Sequence, residues 1–233
     1  MNWELLANEL FGEAHDIRAD GDFLSGRATF DGGPVTVVGT THHAPIGIGL
    51  ALAQARVVLD VVSGRAAEPI LLLIDTQGQQ LRRRDELLGI NRAMAHLGMA
   101  IDLARRSGHR VIGLIYDQAL SGGFITSGMI ADACFALPQA EIRVMRIGAM
   151  ARITKLPEAM LTTLSASNPV FAPGVENYVN MGGVEAIWQT DLRLALREAL
   201  ANTGTHDSRA ANGAIRGGRL RAAEVIQRVM DAC

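Results

Sequence analysis

Apolar and polar positions along this chain fall into two rhythms. SGRATFDGGPVTVVGT carries two β-prone runs on either side of Asp31-Gly32-Gly33, which predicts a hairpin. PILLLIDTQG and RVIGLIYD are apolar without alternation, the mark of strands covered on both faces. Elsewhere the period becomes helical. In GLALAQARVVLDVVSG, Leu52, Ala55, Val58, Leu59 and Val62 share one side, with Gly64 as a stop. From Leu81 to Ser107 the spacing of Leu87, Leu88, Ala95, Met99 and Leu103 predicts one long amphipathic helix ended by Gly108.

The second apolar strand runs through Ser121-Gly122-Gly123 into a helix-like GGFITSGMIADA. CFAL and EIRVM read as short strands, and a helix near Ala149 to Thr154 is expected to break before Pro157. MGGVEAIW reads as a turn and a short strand, and DLRLALREAL and RLRAAEVIQRVMDA as amphipathic helices. The polar segment between those helices, 201–217, reads as a mobile linker to the last one. Strands alternating with helices predict an α/β fold, a single domain over 1–233. The unit of strand, glycine turn and helix recurs, at IDTQG and at YDQALSGG.

Composition narrows the function classes. The 233 residues are 48% hydrophobic but only 4% aromatic, which suits a Leu/Ile/Val/Ala core of an α/β or helical protein. With 22 basic and 24 acidic side chains the net charge is −2, so no global field recruits nucleic acid or an anionic membrane. No apolar run reaches the ~18 residues a membrane span needs, and the acidic N-terminus lacks the form of a secretory signal. Two cysteines, Cys134 in an apolar stretch and Cys233 at the end, fit a reducing, cytoplasmic compartment rather than a disulfide framework. Cys134 is expected to be a small buried hydrophobe.

Both glycine turns fall where a buried strand meets a helix. The first turn of a helix leaves amide N–H groups unpaired at the positive end of its dipole, a place for a phosphate, a carboxylate or a developing oxyanion. If Gly78-Gln79 and Gly122-Gly123 come together, their amides can converge on one thioester oxygen. Glycines at such junctions also serve tight packing alone. No Gly-Lys-Ser/Thr follows either turn, which excludes a phosphate loop, and no Cys/His cluster has zinc spacing, so no metal is expected. Tyr116, Ser121, His42 and His43 are candidate proton donors or water positioners, and Gln77 and Phe124 beside the turns, with His42 and His43, are candidate substrate-binding residues. A serine hydrolase is disfavoured, because no His occurs between His109 and His206 to serve as base for Ser121.

The segment from PILLLIDTQG to YDQALSGGF resembles the carboxyltransferase branch of the crotonase-like superfamily, in which an apolar strand enters Ile-Asp-Thr-Pro-Gly and a second strand enters Ser-Gly-Gly. MGGVEAIW is similar to that family's C-terminal turn. The match covers Val35 to Trp188, with Gln77 in place of the family's Pro and Asp117-Gln118-Ala119-Leu120 in place of its glycine-rich lead-in. Within the branch, YDQALSGGFITSGMIADACFALPQAEI is most similar to the gamma subunits of biotin-independent malonate decarboxylases.

The resemblance implies a spiral of ββα units, a homologous beta subunit, an acyl-transferase alpha subunit and an acyl carrier protein. It implies a malonyl thioester on the carrier's phosphopantetheine-type (dephospho-CoA-derived) arm and no cofactor bound by this chain itself. Loss of CO2 from that thioester leaves an enolate, so catalysis needs donors at its oxygen more than a strong base. Arg82-Arg83-Arg84, at the unfavourable end of a predicted helix, are candidate contacts for an acidic carrier or its arm, against the alternative of a solvated face. Two other functions stay open: the alpha-type half of a biotin-dependent acyl-CoA carboxyltransferase, and a non-catalytic scaffold for the beta subunit.

Overall fold

The structure is a computed structural model in which residues 1–64, 67–167, 174–202, 207–218 and 222–232 are described. Helix α1 (Trp3–Phe11) precedes β1 (Arg18–Asp20), β2 (Phe23–Phe30), β3 (Gly33–Thr40) and β4 (Ala44–Ile46). There follow α2 (Ile48–Gly64), β5 (Ile70–Gln79), α3 (Arg83–Leu87), α4 (Ile90–Arg106) and β6 (Val111–Leu120). Helix α5 (Ser121–Phe124) continues directly into a π-helical turn, Ile125–Met129, before β7 (Ala133–Ala136) and β8 (Glu141–Arg143). Helices α6 (Ile147–Thr154), α7 (Glu158–Ser167), α8 (Val175–Asn180), α9 (Leu192–Ala201), α10 (Arg209–Ile215) and α11 (Ala222–Asp231) complete the described elements.

The predicted hairpin joins β2 to β3, and its turn takes Asp31 (φ 49°) and Gly32 (φ 81°) into the left-handed region, the conformation that matches strand twist. The sheet runs β1-β2-β3-β5-β6-β7, antiparallel through β3 and parallel beyond it. Strands β5 and β6, ten residues each, are long enough to pair with different strands along their length within the one eight-stranded sheet. Their first halves lie between β3 and β7, and their second halves pair with β4 and β8. Leu71, Leu73, Ile112 and Leu114 face a core closed by α1 and α9, while Ile70, Leu72 and Val111 face one closed by α2 and α4. Burial on both faces is why these strands read as unbroken apolar runs.

Four expectations are corrected. Gly89 (φ 80°) splits the predicted 81–107 helix into α3 and α4. The stripe expected to be core is also the exposed one: Leu87, Leu88, Met99 and Leu103 face solvent, and Ile90, Met94, Leu97 and Ile101 are buried instead. Both stripes are apolar, but the second also carries Ala93, Ala100 and Ala104, small enough for α2 to pack closely. Each large side chain so buried contributes about 2 kcal/mol. On α2 the buried apolar set is Ala51, Ala55, Val58 and Val61, with Leu52 exposed. The helix expected through Ala133 stops at Met129, and Ala133 opens β7.

Within 201–217, α10 is fastened to the turn after α8, where Arg216 donates to the Val179 and Val184 carbonyls. Residues 203–206, which include His206, lie outside the described residues, as does Cys233. Cys134 is buried on β7, and burial pushes its thiol up to about 12. Among the described residues no helix is long and apolar enough to cross a membrane.

Candidate active site: two glycine turns in contact

Two register slips bring the turns together. Between β5 and β6 the pairing passes from Ile74↔Ile115 to Thr76↔Ala119, so β6 bulges opposite Asp75. Between β4 and β5 it passes from Ala44↔Thr76 to Pro45↔Gly78, leaving Gln77 as the extra residue. Gly78 then turns with φ 104°, a conformation that favours glycine. A Cβ on Gly123 would lie 2.8 Å from both Gly78 Cα and Gly78 C and 3.1 Å from Gln79 N, closer than side chains approach backbone. A Cβ on Gly78 would meet Ser121 Cβ at 2.9 Å. The two bends are in van der Waals contact through their glycines.

Ser121 opens the helix with φ 55°, an uncommon conformation for a residue with a side chain. Leu120, the residue before it, makes no side-chain cap bond, so the first-turn amides at Gly122 and Gly123 have no such acceptor. The carbonyls of those two glycines are held from behind: Thr126 Oγ1 donates to Gly122 O at 3.0 Å and Ser127 Oγ to Gly123 O at 2.7 Å. The π turn that follows is a form often found where a helix has been re-aimed for function. Gln79 N lies beyond the last β5–β6 pair, Thr76↔Ala119, beside the same helix start. An array of fixed backbone dipoles of this kind can hold a developing negative oxygen without reorganising.

Several expected site residues have other partners. The Gly78 amide donates to Thr76 Oγ1 at 3.0 Å, so the donors of that bend begin at Gln79. Ser121 Oγ donates to the Val144 carbonyl at 2.7 Å, locking the loop after β8 rather than offering a nucleophile or acid. Tyr116 is buried in the α1/α9 core, donating to Thr40 O at 2.9 Å; burial raises its phenol well above the ordinary value. Phe124 is buried edge-on to Tyr178 and reaches no open surface. His42 is exposed with Nδ1 3.4 Å from Asp22. Gln77 is exposed at the β5 slip, Gln79 is partly exposed with Oε1 near Gly122, and Arg82, Arg83 and Arg84 are exposed around the start of α3.

Two groups escaped the sequence. Asp75 is 3% exposed and accepts from His43 N at 2.9 Å and from Gln118 N at 3.3 Å. Burial raises its carboxyl, opposed by the His43 amide and ring, while Asp117 raises it further. His43 Nε2 lies 3.3 Å from Asp117 and 3.7 Å from Asp75, and these three side chains are the convergence of metal-ligating types among the described residues. With both Asp75 oxygens accepting from backbone amides, the cluster is built about a structural carboxylate. The second group is an apolar groove of about 950 Å³ beside the helix start, lined by Met99, Leu103, Ile125, Thr126, Met129 and Ile130 among others. Periodicity does not find it, because Met99 and Leu103 belong to the stripe expected inside.

A mixed sheet whose parallel strands β5 and β6 deliver two glycine turns into contact, one of them opening a helix, is the carboxyltransferase type of the crotonase-like fold. The chain belongs to the malonate decarboxylase gamma subunit (MdcE) family, whose family model matches residues 41–233. The Malonomonas rubra malonyl-S-ACP:biotin-protein carboxyltransferase MADD is 35% identical over 127 residues, 53% of this chain. The chain spans 44% of that relative's length. A Pseudomonas malonate decarboxylase hetero-tetramer in complex with coenzyme A contains a chain that superposes with a TM-score of 0.80 at 25% identity, covering 96% of this chain and 97% of that one. A chain of transcarboxylase 12S shares the fold at a TM-score of 0.72 and 20% identity, over 86% of this chain and 41% of its own.

Proposed function

We propose that this chain is the gamma half of a malonyl-thioester decarboxylase, working with a homologous beta subunit in a cytoplasmic complex that also holds an acyl carrier protein and an acyl-transferase alpha subunit. The contact of Gly123 with Gly78-Gln79 carries this reading. Amides of Gln79, Gly122 and Gly123 donate to the thioester oxygen as the bond between the α-carbon and the carboxylate breaks. The electron pair passes onto that oxygen as an enolate, CO2 leaves, and a proton returns to carbon to give the acetyl thioester. Donors that tighten on the enolate rather than on the ground-state carbonyl lower the barrier, each contributing about 3 kcal/mol.

The carrier arm is the substrate's handle, in keeping with the malonyl-S-ACP in the name of the Malonomonas rubra relative and the coenzyme A bound by the Pseudomonas complex. The exposed stripe Met99, Leu103 and Ile125 beside the site is the surface the beta subunit covers, since three large apolar side chains left in water call for a partner. The relative's biotin-protein activity favours a second reading, carboxyl transfer to biotin.

Labelled CO2 release from a malonyl thioester by the co-expressed beta–gamma pair tests the first. The pair is expected to be active with or without avidin, the isolated chain inactive, and Gly123→Pro, which deletes one amide, slower by ~10² or more. Inhibition by avidin would support the biotin reading; full turnover by Gly123→Pro in a folded pair would leave this chain as a scaffold.

A further inference from the structure

We propose that Asp75 is a positioning residue for the decarboxylation, its buried carboxylate fixing the register at which the two glycine turns meet. The inference rests on the reading of those turns as enolate-oxygen donors. Asp75 stands on β5 at the point where the β5–β6 ladder slips, two residues before the β4–β5 slip at Gln77. Its Oδ2 accepts from His43 N, the residue before β4, and its Oδ1 accepts from Gln118 N inside the β6 bulge. Its own amide is 3.4 Å from Thr40 Oγ1 at the end of β3. One side chain, 3% exposed, thus ties both the residue before β4 and the β6 bulge to β5 just before the turns.

The bulge matters because it decides which residues of β6 face Gly78. From Ile115 to Ala119 the strand advances four residues while β5 advances two, and the excess is absorbed opposite Asp75. A β-strand rises about 3.3 Å per residue, so unfolding the bulge by two residues would slide Gly122-Gly123 by about 6.6 Å along β5. Gly123 would lose its seat on Gly78, and its amide would no longer share a target with that of Gln79. An amide inside a bulge has no ladder acceptor of its own; the Asp75 carboxylate is the substitute.

The groups facing Asp75 are the His43 amide and ring, the Asp117 carboxylate and the Tyr116 phenol. A carboxyl held above its ordinary range keeps its two acceptors above its pKa and loses one as pH falls through it. Turnover should therefore have an acidic limb set by Asp75. Replacing Asp117 removes a like charge that raises the Asp75 pKa, so the limb should move to lower pH.

The test uses the assembled beta–gamma complex and labelled malonyl thioester, with kcat and KM followed against pH. Asp75→Asn can accept through one atom only and is expected to lower kcat by about 10-fold to 100-fold with KM within about 3-fold, the pattern of an interaction needed chiefly in the transition state. Asp117→Asn is expected to keep its plateau kcat and shift the acidic limb downward. Wild-type kcat for Asp75→Asn in an assembled complex overturns the proposal. If Asp75→Asn fails to assemble, the Asp117→Asn profile decides, and an unmoved limb overturns it. Gly123→Pro separates the two levels: slow Gly123→Pro beside wild-type Asp75→Asn removes only the positioning role, whereas wild-type rates for both remove the turns as donors.

Discussion

Gly123→Ala keeps the amide that the mechanism uses and moves it. The new Cβ would sit 2.8 Å from Gly78 Cα and C and 3.1 Å from Gln79 N, against 3.4 Å for ordinary contact, so the two bends must separate by about 0.6 Å. The neighbours are backbone, with no flexible side chain to yield. Overpacking of this kind destabilises by about 1–3 kcal/mol. Losing one oxyanion donor outright costs about 10²–10³ in kcat, and a displaced donor should cost a good part of that, ~10-fold or more. Gly122→Ala is the internal comparison, because its Cβ would meet only the far end of the Gln79 side chain, at 3.3 Å. It should cost at most about 3-fold, since the donor stays in place. The assay is CO2 release by the assembled pair at saturating malonyl thioester, with urea unfolding of each variant. Full kcat for Gly123→Ala in a pair that assembles normally would refute the contact of the two bends as the seat of catalysis.

Tyr116→Phe should lower stability by about 0.5–1.5 kcal/mol through the lost bond to Thr40 O, read as a lower urea midpoint, and leave turnover unchanged; a large loss of kcat at unchanged stability would restore the phenol as a proton donor. Met99→Glu, on an exposed position of α4, should leave the isolated chain's unfolding midpoint within about 0.5 kcal/mol while weakening association with the beta subunit by about 2 kcal/mol or more, measured by size exclusion or titration calorimetry. Undiminished association would move the interface away from this groove.

Much of the fold is legible along the chain because local chemistry dictates it. Asp31-Gly32 can supply two positive-φ residues, so the hairpin forms there. Unbroken apolar runs at Ile70–Ile74 and Val111–Ile115 have to be buried on both faces, and the glycine turns after them mark where the candidate site begins. The residues expected to act there divide sharply. Gly122, Gly123 and Gln79 meet, whereas Tyr116, Ser121 and Phe124 are held by Thr40, Val144 and Tyr178, partners distant in sequence that no spacing reveals.

Sequence periodicity by itself determined that α4 is a helix, with Gly108 as its stop. It left open which of two apolar stripes faces inward, because either one satisfies the same period. Only packing against α2 decided that Ile90, Met94, Leu97 and Ile101 go inside and that Met99 and Leu103 remain for a partner. The sequence likewise placed Gly78 at one strand end and Gly122-Gly123 at the other. Their contact depends on ladder slips around Asp75, and register between strands is a property of pairing, fixed by which amide finds which acceptor once the chain has folded.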